Sequence, residues 1–139
     1  MKKKIAILGS TGSIGKSTLS IISKNKKEFD VTLISTNKNI KEILEQCKKF
    51  KPKYIIINDR KSYHKFIKNK KIKIKVFNNY DSLNKILKNK LDYTISAISG
   101  FDGLEPTLKI IPHTKVLAIA NKESLICGWN LIKYKIDKY

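Results

Sequence analysis

Ile5-Ala6-Ile7-Leu8-Gly9-Ser10-Thr11-Gly12-Ser13-Ile14-Gly15-Lys16-Ser17-Thr18 is the stretch whose reading decides the fold. A short apolar run leads into three glycines spaced by three, and a helical pattern carrying Leu19, Ile21 and Ile22 follows. Three of the chain's 6 glycines stand between positions 9 and 15. Glycine permits a tight strand-to-helix turn and close backbone approach, while a helix N-terminus offers free N–H groups and a partial positive charge. The segment therefore reads as a cradle for a pyrophosphate. Gly15-Lys16-Ser17 also resembles the end of a Walker A loop, with Asp59 after Tyr54-Ile55-Ile56-Ile57 posing as its Walker B acid. That frame fails where its first glycine would stand, because position 10 is Ser10, and glycines spaced by three have no role in it. A P-loop-like nucleotide-binding protein is the alternative.

Working outward, β-branched runs alternate with helical patterns along the whole chain, which predicts βαβ units. The strands fall at Lys4 to Leu8, Val31 to Thr36, Tyr54 to Asn58, Ile72 to Phe77, Tyr93 to Ser99 and Lys115 to Ala120. Ile40, Ile43, Leu44, Cys47 and Phe50 make one apolar helical stripe that Pro52 stops, and Leu83, Ile86, Leu87 and Leu91 make another with Asp81 or Ser82 as its N-cap. Ile55-Ile56-Ile57 and Val116-Leu117-Ala118-Ile119 read as strands buried on both faces. The expected fold is α/β: a Rossmann-like, doubly wound, mostly parallel sheet with helices on both faces, forming one domain over residues 1–139. Lys68 to Lys75 reads as a loosely held edge.

Composition bounds the function. With 139 residues, a core can form without disulfide or metal staples. The formal charge is +19, yet 29 of the 30 basic residues are Lys and only Arg60 is Arg. Lys, Ile and Asn abound while Ala is scarce, the pattern of an AT-rich coding sequence, so the charge is drift rather than design. A nucleic-acid-binding basic domain, the second alternative, would favour Arg for bidentate contacts, with aromatics interleaved for stacking. Cys47 and Cys127 sit among apolar residues as reduced thiols, and no apolar run approaches the ~20 residues of a membrane span. A bacterial-type cytoplasmic location is expected, with no membrane partner. His64 and His113 have no Cys, Asp or Glu at ligand spacing, so neither a metal ligand nor a catalytic residue is expected in this chain. Tyr134-x-x-x-Lys138 matches the catalytic pair of short-chain dehydrogenases, but a chain this rich in Lys produces such a pair by chance.

An NAD-binding domain usually ends its second strand with an acid that bonds the ribose 2′-OH. Ser35-Thr36-Asn37-Lys38-Asn39 contains none, which favours NADP.

Together these residues resemble the 1-deoxy-D-xylulose 5-phosphate reductoisomerase family, the NADPH enzymes of the non-mevalonate isoprenoid pathway. Gly9 to Gly15 with Ser17-Thr18-Leu19 is similar to its cofactor loop, and Asn37-Lys38-Asn39 stands where the family binds the 2′-phosphate, with Asn37 in place of a common Gly. Leu117-Ala118-Ile119-Ala120-Asn121-Lys122-Glu123-Ser124-Leu125 resembles its Ala-Asn-Lys-Glu-Ser stretch. Gln46, Phe50-x-Pro52 and Ser99-Gly100-x-x-Gly103-Leu104-x-Pro106-Thr107 are similar too. The resemblance implies cofactor contacts from Gly9, Thr11, Gly12, Ser13, Ile14, Gly15, Asn37, Lys38 and Asn39. It places Asn121 and Glu123 at the nicotinamide end and Lys122 on a sugar phosphate substrate. It also implies a homodimer and a divalent cation, manganese or magnesium, held by a catalytic domain that this chain lacks along with a C-terminal helical domain. The chain would then be the cofactor-binding portion, inactive alone.

Overall fold

In a computed structural model, which describes residues 1–68 and 73–139, the alternating pattern builds a six-stranded sheet in which every pairing is parallel. The elements are β1 Lys3–Leu8, α1 Ser13–Lys24, β2 Phe29–Thr36, α2 Ile40–Phe50, β3 Tyr54–Ile57, α3 Arg60–Lys68 and β4 Lys75–Phe77. They continue with α4 Leu83–Ile86, β5 Leu91–Ser96, α5 Leu104–Ile110, β6 Thr114–Ile119 and α6 Lys122–Lys138. The strand order is β4-β3-β2-β1-β5-β6. The chain therefore winds outward from β1 through β4, then crosses back to place β5 on the other side of β1. The loops leaving β1 and β5 diverge there, which opens a crevice at the carboxyl ends of the strands. This is the expected doubly wound α/β architecture.

Side-chain alternation sets the two faces. Ile5, Ile7, Val31, Ile34, Ile55 and Ile57 pack against Leu19 and Ile22 of α1, Ile43 and Cys47 of α2 and Phe66 of α3. Ala6, Leu8, Leu33 and Ile56 point the other way, toward Leu83, Leu87 and Ile110. Each fully buried Ile or Leu contributes roughly 1.5–3 kcal/mol relative to exposure, which makes the isoleucine-rich strands the main source of stability.

Four expectations are corrected. Ile55-Ile56-Ile57 is buried on both faces, but Val116 is 49% exposed and Lys115 and Ala118 are exposed as well. β6 is the sheet edge, and α5 and α6 cover only its Leu117 and Ile119 face. The stripe from Leu83 to Leu91 is not one helix: α4 ends at Ile86, Leu87 leaves the helical region at φ −103° and ψ 81°, and Leu91 opens β5. Leu83, Leu87 and Leu91 still enter one core cluster, so their spacing recorded shared burial rather than helical continuity. Ser82 stands at the N-cap position of α4 as expected but makes no side-chain capping bond; the capping bond lies one turn earlier, where Asn79 Oδ1 accepts the Ser82 N–H at 3.3 Å. Finally, Cys47 is buried but Cys127 is exposed. Ile72 and half of the expected Lys68 to Lys75 edge lie outside the described residues.

Candidate functional site

The glycine loop is held by fit rather than by length. Gly9 has φ +79°, a conformation that favours glycine, and a Cβ there would lie 2.8 Å from the Ala97 carbonyl oxygen. A Cβ at Gly15 would lie 2.4 Å from the Gly9 oxygen and 2.5 Å from Ser10 Cα, so α1 packs directly on the loop that starts it. Gly12 is different: its Cβ would meet nothing nearer than the Gly9 oxygen at 3.5 Å. The first two glycines of this comparison are required by the fold, and the third is left to face the crevice.

Buried hydrogen bonds fix the loop to its neighbours. The Ser10 N–H donates to the Ser35 carbonyl at 2.9 Å and the Gly9 N–H donates to Ser35 Oγ at 3.0 Å. Ser10 Oγ donates to Gln46 Oε1 at 2.6 Å, and Gln46 Nε2 returns a bond to the Ser10 carbonyl at 2.9 Å, so α2 clamps the loop from outside. Tyr80 OH donates to Ser35 Oγ at 2.9 Å. Thr11 and Thr36 share a hydroxyl hydrogen bond of 2.7 Å at the end of β2.

Among the described helices of eight residues or more, capping singles out α1; the short α4 and α5 also lack a side-chain cap. Asn39 caps α2 by accepting the Glu42 N–H at 3.1 Å, Asp59 caps α3 by accepting the Ser62 N–H at 2.8 Å, and Asn121 caps α6 by accepting the Ser124 N–H at 3.1 Å. At α1 the N-cap is Gly12, with no side-chain acceptor and no acid in the first turn. Its orphan donors and the positive end of its dipole are left for an anion. The crevice beside it measures about 280 Å³ and is lined by Gly9, Thr11, Gly12, Ser35, Thr36, Asn37, Asn58, Tyr80, Ala97, Ile98, Ser99, Asp102 and Pro106.

The structure brings Gly9, Thr11, Gly12 and Asn37 of the sequence-read residues to this crevice. Ser13 and Ile14 form the exposed first turn of α1, and Gly15 is buried behind it. Lys38 is exposed beside the crevice residue Asn37, and the exposed Asn39 caps α2 through its Oδ1 alone. Asn121 is 3% exposed and fully committed: besides its cap, Nδ2 donates to the Ile98 carbonyl at 2.5 Å and the Gly100 carbonyl at 2.6 Å. It ties the β5 loop, whose Ile98 and Ser99 line the crevice, to the start of α6, where Lys122 and Glu123 are exposed. The Ser124 hydroxyl is buried without a partner.

Ser35, Tyr80, Asn58 and Asp102 were not singled out as site residues. Tyr80 lies 45 positions from Ser35 and carries no local motif, so only the fold joins them. The Walker reading finds no support, since Lys16 pairs with Glu42 at 3.9 Å, Asp59 caps α3, and neither lines the crevice. Tyr134 is 65% exposed on α6 and lines no part of the crevice. Among the described residues no three of His, Cys, Asp and Glu gather as metal ligands, and no helix is long and apolar enough to cross a membrane.

An uncapped helix after a glycine turn, opening on the switch point of a parallel sheet, defines a doubly wound α/β domain with a crevice at a bare helix N-terminus. Comparison with known proteins is more specific. The family model for 1-deoxy-D-xylulose 5-phosphate reductoisomerase matches residues 5–128. The chain is 57% identical over 142 aligned residues to the reductoisomerase of Pelagibacter ubique and 41% identical over 141 to that of Proteus mirabilis, covering 99% of this chain and 36% of each relative. The solved Zymomonas mobilis reductoisomerase in complex with NADPH superposes with a TM-score of 0.88 at 30% identity, over 99% of this chain and 37% of that one. This chain belongs to the 1-deoxy-D-xylulose 5-phosphate reductoisomerase family. It spans about a third of the length of the curated relatives it matches.

Proposed function

We propose that this chain is the NADPH-binding portion of a reductoisomerase that converts 1-deoxy-D-xylulose 5-phosphate to 2-C-methyl-D-erythritol 4-phosphate. The observation that carries the reading is the bare N-terminus of α1 beside a crevice whose loop glycines Gly9 and Gly15 are packed too closely for any side chain. NADPH supplies the hydride for the reduction. Gly9, Thr11, Gly12, Ser13, Ile14 and Gly15 form the pyrophosphate cradle, through N–H donors rather than cations. Asn37, Lys38 and Asn39 receive the 2′-phosphate. At the end of β2, Thr36 is already bonded to Thr11 and the segment Ser35 to Asn39 carries no carboxylate for a ribose 2′-OH, which supports NADPH over NADH.

At the other end of the crevice, Asn121 acts by shaping the β5 loop for the nicotinamide, Glu123 stands at that end beside it, and the exposed Lys122 ammonium meets the phosphate of the sugar substrate. The chain's described residues offer no ligand set for a divalent cation, so the magnesium named with three solved relatives, one of them also holding NADPH and fosmidomycin, would be held by polypeptide outside them. The catalytic and helical domains, the homodimer and the cytoplasmic location are proposed on the same family ground. Calorimetric titration with NADPH, NADH and magnesium ATP at two salt concentrations tests the reading. Saturable binding that prefers NADPH, with no turnover by residues 1–139 alone, is expected. Preference for magnesium ATP, or turnover by this chain by itself, would overturn it.

A further inference from the structure

We propose that Asp102 is a specificity-determining residue of the crevice, accepting a hydrogen bond from the exocyclic amine of the dinucleotide's adenine, while the exposed ring of Phe101 stacks on that base. The inference rests on the NADPH reading above, which puts the pyrophosphate on the glycine loop and the 2′-phosphate at Asn37 to Asn39.

Placement and charge carry it. A second cavity of about 460 Å³ adjoins the crevice, and Asn58, Tyr80, Asp102 and Pro106 line both. Neither the glycine loop nor Ser35 to Asn39 lines that second cavity, so the shared wall is the end of the crevice remote from the cradle. With its pyrophosphate on α1 and its 2′-phosphate at the end of β2, the adenosine half has only its base left to reach that wall. Asp102 is exposed, and among the described residues its carboxylate has no hydrogen-bond or ion-pair partner. The chain carries 30 basic residues against 11 acidic ones, and Glu42, Glu45, Asp81, Asp92 and Glu105 each hold a lysine. Asp102 is nevertheless the one charged side chain in the crevice lining. A free carboxylate repels the phosphates of the ligand, so what it can serve there is a hydrogen-bond donor. On the adenosine half of NADPH the donors are the adenine amine and a ribose hydroxyl, and the remote wall selects the amine. A carboxylate accepts from that amine and repels the carbonyl oxygen that replaces it in hypoxanthine. Phe101 supplies the face: it is 64% exposed, lines the second cavity beside Asp102 and belongs to none of the core clusters. An aromatic ring there stacks on a base whatever the base's edge carries.

The test titrates the 139-residue chain and its Asp102→Asn and Phe101→Ala variants with NADPH and with its 6-oxo analogue, in which hypoxanthine replaces adenine. Both side chains are exposed, so neither change empties the core. The wild type is expected to bind NADPH roughly tenfold or more tightly than the analogue. Asp102→Asn should bring the two affinities within about threefold of each other, since an amide donates to the 6-oxo group as readily as it accepts from the amine. The ratio is the readout because repulsion between the carboxylate and the phosphates is common to both ligands. Phe101→Ala should weaken both by roughly fivefold or more and leave their ratio unchanged. Equal affinity of the wild type for the two ligands would overturn the assignment while leaving the NADPH reading in place. So would a ratio that Asp102→Asn does not move, the result given by a carboxylate that faces the ribose. Unchanged affinities in Phe101→Ala would overturn the stacking. Absence of NADPH binding by the wild type would remove the functional reading and this one together.

Discussion

Replacing Gly15 by Ala pits helix propensity against close packing, and the structure says which wins. Gly15 lies in the first turn of α1, where alanine is favoured over glycine by up to about 1 kcal/mol. Its new methyl would sit 2.4 Å from the Gly9 oxygen, 2.5 Å from Ser10 Cα and 2.7 Å from the Ser10 carbonyl carbon, all backbone atoms. Relief requires α1 and the loop to separate by about 1 Å, the gap between those distances and ordinary carbon contacts. The loop resists, because the Ser10 N–H, the Gly9 N–H and the Gln46 amide hold it at 2.9, 3.0 and 2.9 Å. Overpacking costs about 1–3 kcal/mol, and each loosened hydrogen bond about 1 kcal/mol. The net expectation is a destabilisation of about 2–3 kcal/mol. With a urea slope near ~2 kcal/mol/M, the unfolding midpoint followed by far-UV circular dichroism falls by roughly 1–1.5 M. Gly12→Ala is the control: its methyl meets ordinary contacts, so stability should change by about 1 kcal/mol or less. NADPH binding should nevertheless weaken by roughly tenfold or more, since the methyl enters the pyrophosphate cradle. A Gly15→Ala chain as stable as the wild type, or more so, would refute the close-packing argument.

Asn121→Ala removes three hydrogen bonds from a side chain buried between the β5 loop and α6, and should cost about 2–4 kcal/mol in urea unfolding. Asn37→Asp places a carboxylate at the end of β2, and competitive titration should show the NADPH to NADH affinity ratio falling by roughly tenfold. Burial holds the His113 imidazole below its ordinary value of 6.5, while Lys135 and Lys90 also oppose its charge and a backbone hydrogen bond at Leu87 acts the other way. The unfolded chain therefore takes up this proton first, so the contribution is fully present above pH 6.5 and is lost as pH falls below it. His113→Gln should accordingly flatten the loss of urea midpoint between neutral and mildly acidic pH.

By itself the sequence determined the parallel architecture and the glycine turn between β1 and α1, since both depend on local pattern. Isoleucine-rich runs such as Ile55-Ile56-Ile57 have to be buried on both faces, and glycines spaced by three between a strand and a helix admit few conformations. The absence of an acid in Ser35 to Asn39 was equally legible and carries the choice of dinucleotide. Tertiary structure decided the rest. The stripe from Leu83 to Leu91 has helical spacing, yet its burial is satisfied by a helix end, a turn and a strand that share one core. Val116 has a core residue's composition and an edge residue's exposure, because burial depends on what covers a strand. Asn121 reads as a polar site residue, but its place between two loops commits every polar atom to the protein. Ser35 and Tyr80 become a pair because winding the sheet back past β1 brings the segment after β4 against the end of β2, a contact that no local spacing encodes.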